Sequence, residues 1–172
     1  MKGQGLKQFQ KQLSVIFRIN DQVDVDFFID HQLEYLIGDV SIIGLFGSAY
    51  SYFNYSITDL SPLKGIREIE GNLYIGGGDD NYNFKFDNLS CFSELTKIGG
   101  DLIFSGPNNL SRTTSLQAFE NLEEIGGKII IKNTGFNNYC PLSDFFLENN
   151  FEISGGVFRP TLADFQNGNC SY

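Results

Sequence analysis

A chain of 172 residues, 41% hydrophobic and 15% aromatic, is long enough for one buried core and too apolar to be disordered. Its formal charge of −9 disfavours nucleic acid and anionic membranes as partners. No apolar run reaches the roughly 18 residues that a membrane-spanning helix needs.

From the N-terminus, Leu6, Phe9, Leu13, Ile16 and Phe17 recur at helical steps, which predicts an amphipathic helix over residues 5–18. Such a helix suits a cap over the end of a repeat array. A membrane-surface helix with Lys2, Lys7 and Lys11 on its polar face is the competing reading. The stretch "LSVIF" is too short for the apolar core of a secretory leader, which leaves an intracellular protein or a chain without its natural start. Next, "VDVDFFI", residues 23–29, alternates as an entry strand does.

Four segments then align on one glycine: "LEYLIGDVSI" (33–42), "IREIEGNLYI" (66–75), "LTKIGGDLIF" (95–104) and "LEEIGGKIII" (122–131). The shared glycines are Gly38, Gly71, Gly100 and Gly127, spaced 33, 29 and 27 residues apart. Two residues before each stands Leu36, Ile69, Ile98 or Ile125, and five before stands Leu33, Ile66, Leu95 or Leu122. Two and four after it lie Val40 and Ile42, Leu73 and Ile75, Leu102 and Phe104, and Ile129 and Ile131. Leu63, Phe92 and Phe119 add an apolar position eight before the glycine, where the first copy has Asp30. The alternation after the glycine is a strand with one buried face, and the three-residue steps before it are a tighter, turn-like approach. The glycine itself serves a bend with positive φ or a close backbone approach, whereas Gly99 and Gly126, facing Ile37 and Glu70 in other copies, read as optional. Periods of this length with one strand each predict a solenoid whose strands stack in parallel. A pair of hairpins would need turn signals that the long intervening stretches lack.

The pattern Leu-x-x-Leu-x-x-Ile-x-Gly-x-Leu-x-Ile resembles the leucine-rich repeat and, more closely, the receptor L domain. That fold occurs in the insulin and epidermal growth factor receptor ectodomains and in many secreted bacterial proteins. The resemblance covers about residues 30–155 and implies an α/β fold, a right-handed parallel β-solenoid with short helical turns. Residues 137–170, "NNYCPLSDFFLENNFEISGGVFRPTLADFQNGNC", look like the C-terminal cap of bacterial surface proteins of this type. That likeness implies a disulfide between Cys140 and Cys170 and an extracellular or cell-surface setting, with the cytoplasm as the alternative. From the residues alone, the odd cysteine count gives no disulfide framework. The lack of Cys-x-x-Cys or His-rich spacing gives no zinc site, so the plainest role for Cys91, Cys140 and Cys170 is small buried side chains. "TLADFQNG" predicts a short helix with Thr161 as N-cap, Asp164 completing a capping box and Gly168 as the stop. One structural domain follows, with a capping helix and entry strand over 1–30, repeats over 31–155 and a cap over 156–172.

Chemistry-bearing residues are sparse. His31, the sole histidine, has no nucleophile motif beside it and reads as a surface residue. "GGGDDN", residues 76–81, lacks the lysine and helix of a phosphate loop, and Asp79, Asp80 and Asp87 lack calcium-loop spacing, so these are loop residues. Stacking in a parallel sheet instead builds columns about 4.8 Å apart. The column after the glycine is Asp39, Asn72, Asp101 and Lys128, and the outward-pointing column two residues on is Ser41, Tyr74, Ile103 and Ile130. The column before the glycine, Tyr35, Glu68, Lys97 and Glu124, alternates in charge. The Tyr74–Ile103–Ile130 stripe with a polar rim has the character of a protein-binding face. Tyr52, Tyr55 and Tyr82 sit in aromatic-rich connections that suit protein or carbohydrate contacts. Asp39 and Asp101, two rungs apart, stand roughly 9–10 Å from each other, near the separation of inverting glycosidase carboxylates. The leading expectation is a non-catalytic protein-binding or adhesion module of a secreted or surface protein, without cofactor or metal. The alternatives are an architectural spacer and a carbohydrate-binding or carbohydrate-active solenoid.

Overall fold

A computed structural model describes residues 12–14, 17–43, 57, 59–76, 89–106, 115–148 and 150–172. Strands β1 (Gln12–Ser14), β3 (Tyr35–Ile37), β5 (Glu68–Ile69), β7 (Lys97–Ile98) and β9 (Glu124–Ile125) form a five-stranded sheet in that order. Strands β2 (Phe17–Ile19), β4 (Val40–Ile42), β6 (Leu73–Gly76), β8 (Leu102–Ser105), β10 (Ile129–Lys132) and β11 (Phe151–Ser154) form a six-stranded one. Every pairing within them is parallel. With helices α1 (Gln22–His31), α2 (Ser143–Glu148) and α3 (Leu162–Gln166), this is a mixed α/β fold.

Each aligned segment therefore holds two strands, one per sheet, rather than the single strand expected. The strand before the glycine escaped notice because two or three residues are too few to show alternation. Register accounts for the apolar columns. Leu36 pairs with Ile69, Ile69 with Ile98 and Ile98 with Ile125, while Val40, Leu73, Leu102 and Ile129 line up across the other sheet. All of these are buried. The turn-like approach is a 3-10 turn in each later copy: Ser61–Leu63, Ser90–Phe92 and Gln117–Phe119, followed by a fourth at Cys140–Leu142. Leu63, Phe92, Phe119 and Leu142 enter the core from these turns, joined by Leu60, Leu89, Leu116 and Tyr139 immediately before them.

The N-terminal expectations need correction. Residues 12–14 and 17–19 are strands, each the next parallel neighbour of β3 and β4, so a helix over 5–18 does not form there. The remainder of that predicted helix lies outside the described residues. The offset of 23 between Gln12 and Tyr35 recurs between Phe17 and Val40, so this segment is a further, glycine-free copy of the repeat. Conversely, residues 23–29 are helix and not an entry strand. Asp21 caps α1 by accepting from Asp24 N at 3.1 Å, and Asp24 Oδ2 accepts from Asn20 N at 2.7 Å. The helix buries Val25 and Phe28, three apart, and leaves Val23, Phe27 and Ile29 exposed. A strand would have put all four odd-numbered residues of 23–29 on one face; the cap and the i, i+3 pair decide for the helix.

At the far end, β9 closes the five-stranded sheet, and α2 precedes the last strand of the other. An aromatic chain runs into this cap: Phe92 stacks on Phe119 (ring centroids 5.4 Å), Phe104 meets Phe119 and Phe136, and Phe146 stacks on Phe165 at 4.4 Å. Such pairs contribute about 0.5–1.5 kcal/mol each beyond their burial. Helix α3 has the expected capping box, Thr161 with Asp164, and Gly168 follows with φ of 76°. Cys140 and Cys170 are joined by a disulfide spanning 30 residues, which ties the cap to the fourth turn.

Candidate functional site

The corner between the two sheets holds the glycines and the column that follows them. Asp39 Oδ1 accepts from Asn72 N at 2.8 Å and from Asn72 Nδ2 at 3.0 Å. Asn72 Oδ1 in turn accepts from Asp101 N at 2.7 Å, and Asp101 Oδ1 accepts from Lys128 N at 2.7 Å. Main-chain bonds run alongside, from Gly71 N to Gly38 O, Gly100 N to Gly71 O and Gly127 N to Gly100 O. Asp39, Asn72 and Asp101 thus point along the stack into the corner, not outward from the six-stranded sheet as the alternation suggests. They precede the strands, where alternation has not yet begun. The carboxylates of Asp39 and Asp101 satisfy main-chain donors, so they do not converge on a groove.

This ladder also explains the glycines. A Cβ on Gly71 would stand 2.5 Å from Asp39 Oδ1 and from the Gly38 carbonyl carbon, and one on Gly100 or Gly127 would collide with Asn72 or Asp101. Close approach is the reason at these three positions, while Gly38 alone among the four has a positive φ, 111°. Gly99 and Gly126 are not optional where they stand, because a Cβ on either would overlap the carbonyl of Glu70 or of Gly99. Gly76, read as a loop glycine, is the last residue of β6, with φ of 138° and its α-carbon against the Ser105 carbonyl.

The outward row of the six-stranded sheet is Arg18, Ser41, Tyr74, Ile103, Ile130 and Glu152 in strict register. Tyr74, Ile103 and Ile130 are adjacent in it and half-buried, with Ser41 between Tyr74 and the exposed Arg18, and with the exposed Glu152 beyond Ile130. Lys132 Nζ meets Glu152 Oε1 at 2.9 Å at one margin. The result is an apolar strip on a pleated surface with a charged group at either end. Tyr52, Tyr55 and Tyr82 lie outside the described residues.

The outward face of the other sheet has the opposite character. Tyr35, Glu68, Lys97 and Glu124 stack there, and Lys97 Nζ meets Glu124 Oε2 at 2.8 Å. That hydrogen bond, with the charges of Glu68 and Glu70, raises the Lys97 ammonium above its ordinary range. Arg67 reaches Glu34 and Glu94 at 3.9 Å each. A charge-laced face of this kind is an ordinary solvated surface, so the six-stranded sheet carries the candidate site.

His31 is exposed at the end of α1, its ring stacked on Phe27 at 3.8 Å. Cys91 is a buried free thiol, pushed up to about 12 by desolvation. Among the described residues no group of three or more His, Cys, Asp or Glu is placed to hold a metal ion, and no helix is long and apolar enough to cross a membrane. Asp79, Asp80 and Asp87 lie outside the described residues. Sequence reasoning missed the exposed apolar face of α1, which it took for a strand; the Asp21-x-x-Asp24 cap was the available signal. No protein-family model matches the chain, and no curated protein matches it in sequence.

Proposed function

We propose that the chain is a right-handed parallel solenoid of the receptor L-domain kind and works as a non-catalytic protein-binding or adhesion module. The observation that carries the reading is the row Tyr74–Ile103–Ile130, held in register on the outward face of the six-stranded sheet. Alternate-sheet pairing with a constant corner supports the solenoid: each repeat adds one strand to each sheet and the chain never reverses direction within either. A rigid apolar strip of this sort is preorganised, so a partner orders little of the surface when it docks. The Cys140–Cys170 disulfide supports a secreted or surface location, since such bonds persist in oxidising compartments. Two carboxylates engaged in the corner ladder weigh against the carbohydrate-active alternative.

The test compares wild type with Tyr74→Ala and Ile103→Asp in a pull-down from cell-surface extracts and on a glycan array. Both residues are half-buried on an outward face, so the variants remain folded by circular dichroism. Loss of a captured protein by both variants supports the reading. Equal capture by all three proteins sinks it, and glycan binding that ignores both substitutions points to sugar elsewhere on the surface.

A further inference from the structure

Helix α1 lies beside the 3-10 turn at Ser61–Leu63, locked by a two-way amide contact. Gln22 Nε2 donates to Asp59 O at 2.9 Å, and Gln22 Oε1 accepts from Asp59 N at 2.9 Å. Between the C-terminal half of the helix and the turn runs a cleft of about 430 Å³. Its charged lining is Asp26, Glu34, Asp59 and Glu94 against Lys64 and Arg67, an excess of two negative charges. Ile29, 57% exposed, forms an apolar wall. The cleft opens onto the outer face of the helix, where residues 23, 26, 27 and 30 fall within about 100° of arc at 3.6 residues per turn. Val23 is 76% exposed and Phe27 40%, and Asp26 and Asp30 flank them. Stacking on His31 at an interplanar angle of 17° fixes the Phe27 ring as a flat plate.

Charge selects the occupant. A second copy of this chain would set Asp26 and Asp30 against carboxylates of their own kind, and an anionic lipid surface would meet the same repulsion. We propose that the outer face of α1 and the adjoining cleft dock a segment of a partner protein that carries apolar side chains flanked by lysine or arginine. The apolar groups cover Val23, Phe27 and Ile29, and the cationic heads meet Asp26, Asp30 and Asp59. Hydrogen bonds from Ser61 N and Oγ, at 2.8 and 2.7 Å, hold the Asp59 carboxyl below the usual carboxylate range, so it stays charged in mild acid. None of these residues belongs to the sheet row described above, so this surface stands or falls independently of it.

The full chain, labelled with ¹⁵N, is titrated with two synthetic peptides sharing the same leucines, one carrying lysines and the other glutamates at the remaining positions. The lysine peptide is expected to shift amides within residues 22–31 and 59–67. Val23→Ser with Phe27→Ser weakens that binding at least tenfold, and Asp26→Lys with Asp30→Lys turns the preference to the glutamate peptide. These positions are exposed, so unchanged amides elsewhere verify the fold of each variant. Absent shifts, shifts spread over the whole acidic surface, or variants that bind like wild type overturn the proposal. So do α1 shifts that grow with the chain's own concentration, or that phosphatidylcholine vesicles reproduce.

Discussion

Asn72 is the member of the corner ladder that bonds in both directions through its side chain: Nδ2 gives to Asp39, and Oδ1 takes from Asp101 N. Asn72→Asp keeps the shape and one of these bonds. It replaces the donor with a carboxylate oxygen about 3.0 Å from Asp39 Oδ1. The lost bond to a charged acceptor is worth about 1.5–3 kcal/mol. Repulsion at that distance adds about 1.4 kcal/mol in a water-like medium and about 5.5 kcal/mol at an effective dielectric of 20. For half-buried groups the sum is about 3–5 kcal/mol at pH 7, a large share of the roughly 5–15 kcal/mol that holds a domain together. Asn72→Ala loses the hydrogen bonds without adding charge. The two variants differ in their response to acid. Beside a like charge the new carboxyl has a raised pKa in the folded state, so its penalty is absent below the unfolded value of about 4 and grows as pH rises through the raised one. Urea unfolding of both variants between pH 4 and 7 therefore shows the Asp variant losing stability relative to the Ala variant as pH rises. A constant difference across that range, or an Asp variant within 1 kcal/mol of wild type at pH 7, would refute the ladder as a stabilising device.

Other substitutions probe neighbouring features. Gly100→Ala forces a Cβ onto Asn72 Oδ1 and the Gly71 backbone and is expected to cost about 2–4 kcal/mol, a fall of roughly 5–15 °C in Tm, read by thermal melting. Gly65→Ala meets only open space despite its φ of 109° and costs about 1–2 kcal/mol, so equal effects of the two would contradict the close-approach account. Cys140→Ser opens a crosslink across 30 residues and lowers stability by about 3–4 kcal/mol in urea, and denatured unreduced wild type yields one free thiol of its three cysteines. Because burial raises the Cys91 thiol from 9.0 to about 12, the stability linked to it is complete below pH 9 and declines as pH rises from there toward 12. Native protein leaves a thiol reagent unreacted at pH 8, and between pH 9 and 11 its urea midpoint falls more than that of Cys91→Ala.

Much of the architecture was readable because the repeat writes its core in every copy. Ile69, Ile98 and Ile125, or Leu73, Leu102 and Ile129, stand at fixed distances from a glycine, and a fixed distance in a parallel stack becomes a column. The leucines eleven residues before the glycine, Leu60, Leu89 and Leu116, obey the same rule but lie beyond the motif's apparent edge. Two things did not show. A two-residue strand such as Glu68–Ile69 has no period to detect, so the second sheet was invisible. The stretch Val23–Ile29 alternates by chance, and its helical identity rests on the Asp21 cap, a signal one residue wide. Candidate site residues divided along the same line. Those on strands, Tyr74, Ile103 and Ile130, face outward as the alternation requires. Those in the corner, Asp39, Asn72 and Asp101, answer to hydrogen bonds with the next copy, which no single copy displays.

The corner ladder has a direction. Asp39, Asn72 and Asp101 each hand a side-chain oxygen to the main-chain N–H of the copy that follows, so copies read like links with a hook at one end and an eye at the other. Lys128 has the eye, a backbone N–H bonded to Asp101, but its side chain has no carbonyl to serve as a hook. Beyond it β11 pairs with β10 along the main chain, Ile129 N donating to Asn150 O, and among the described residues the five-stranded sheet has already ended. Position 128 therefore ends the side-chain ladder, while the six-stranded sheet continues past it to β11. A copy duplicated upstream of this residue inherits the side-chain ladder, whereas one placed after it would join by main-chain pairing, as β11 joins β10.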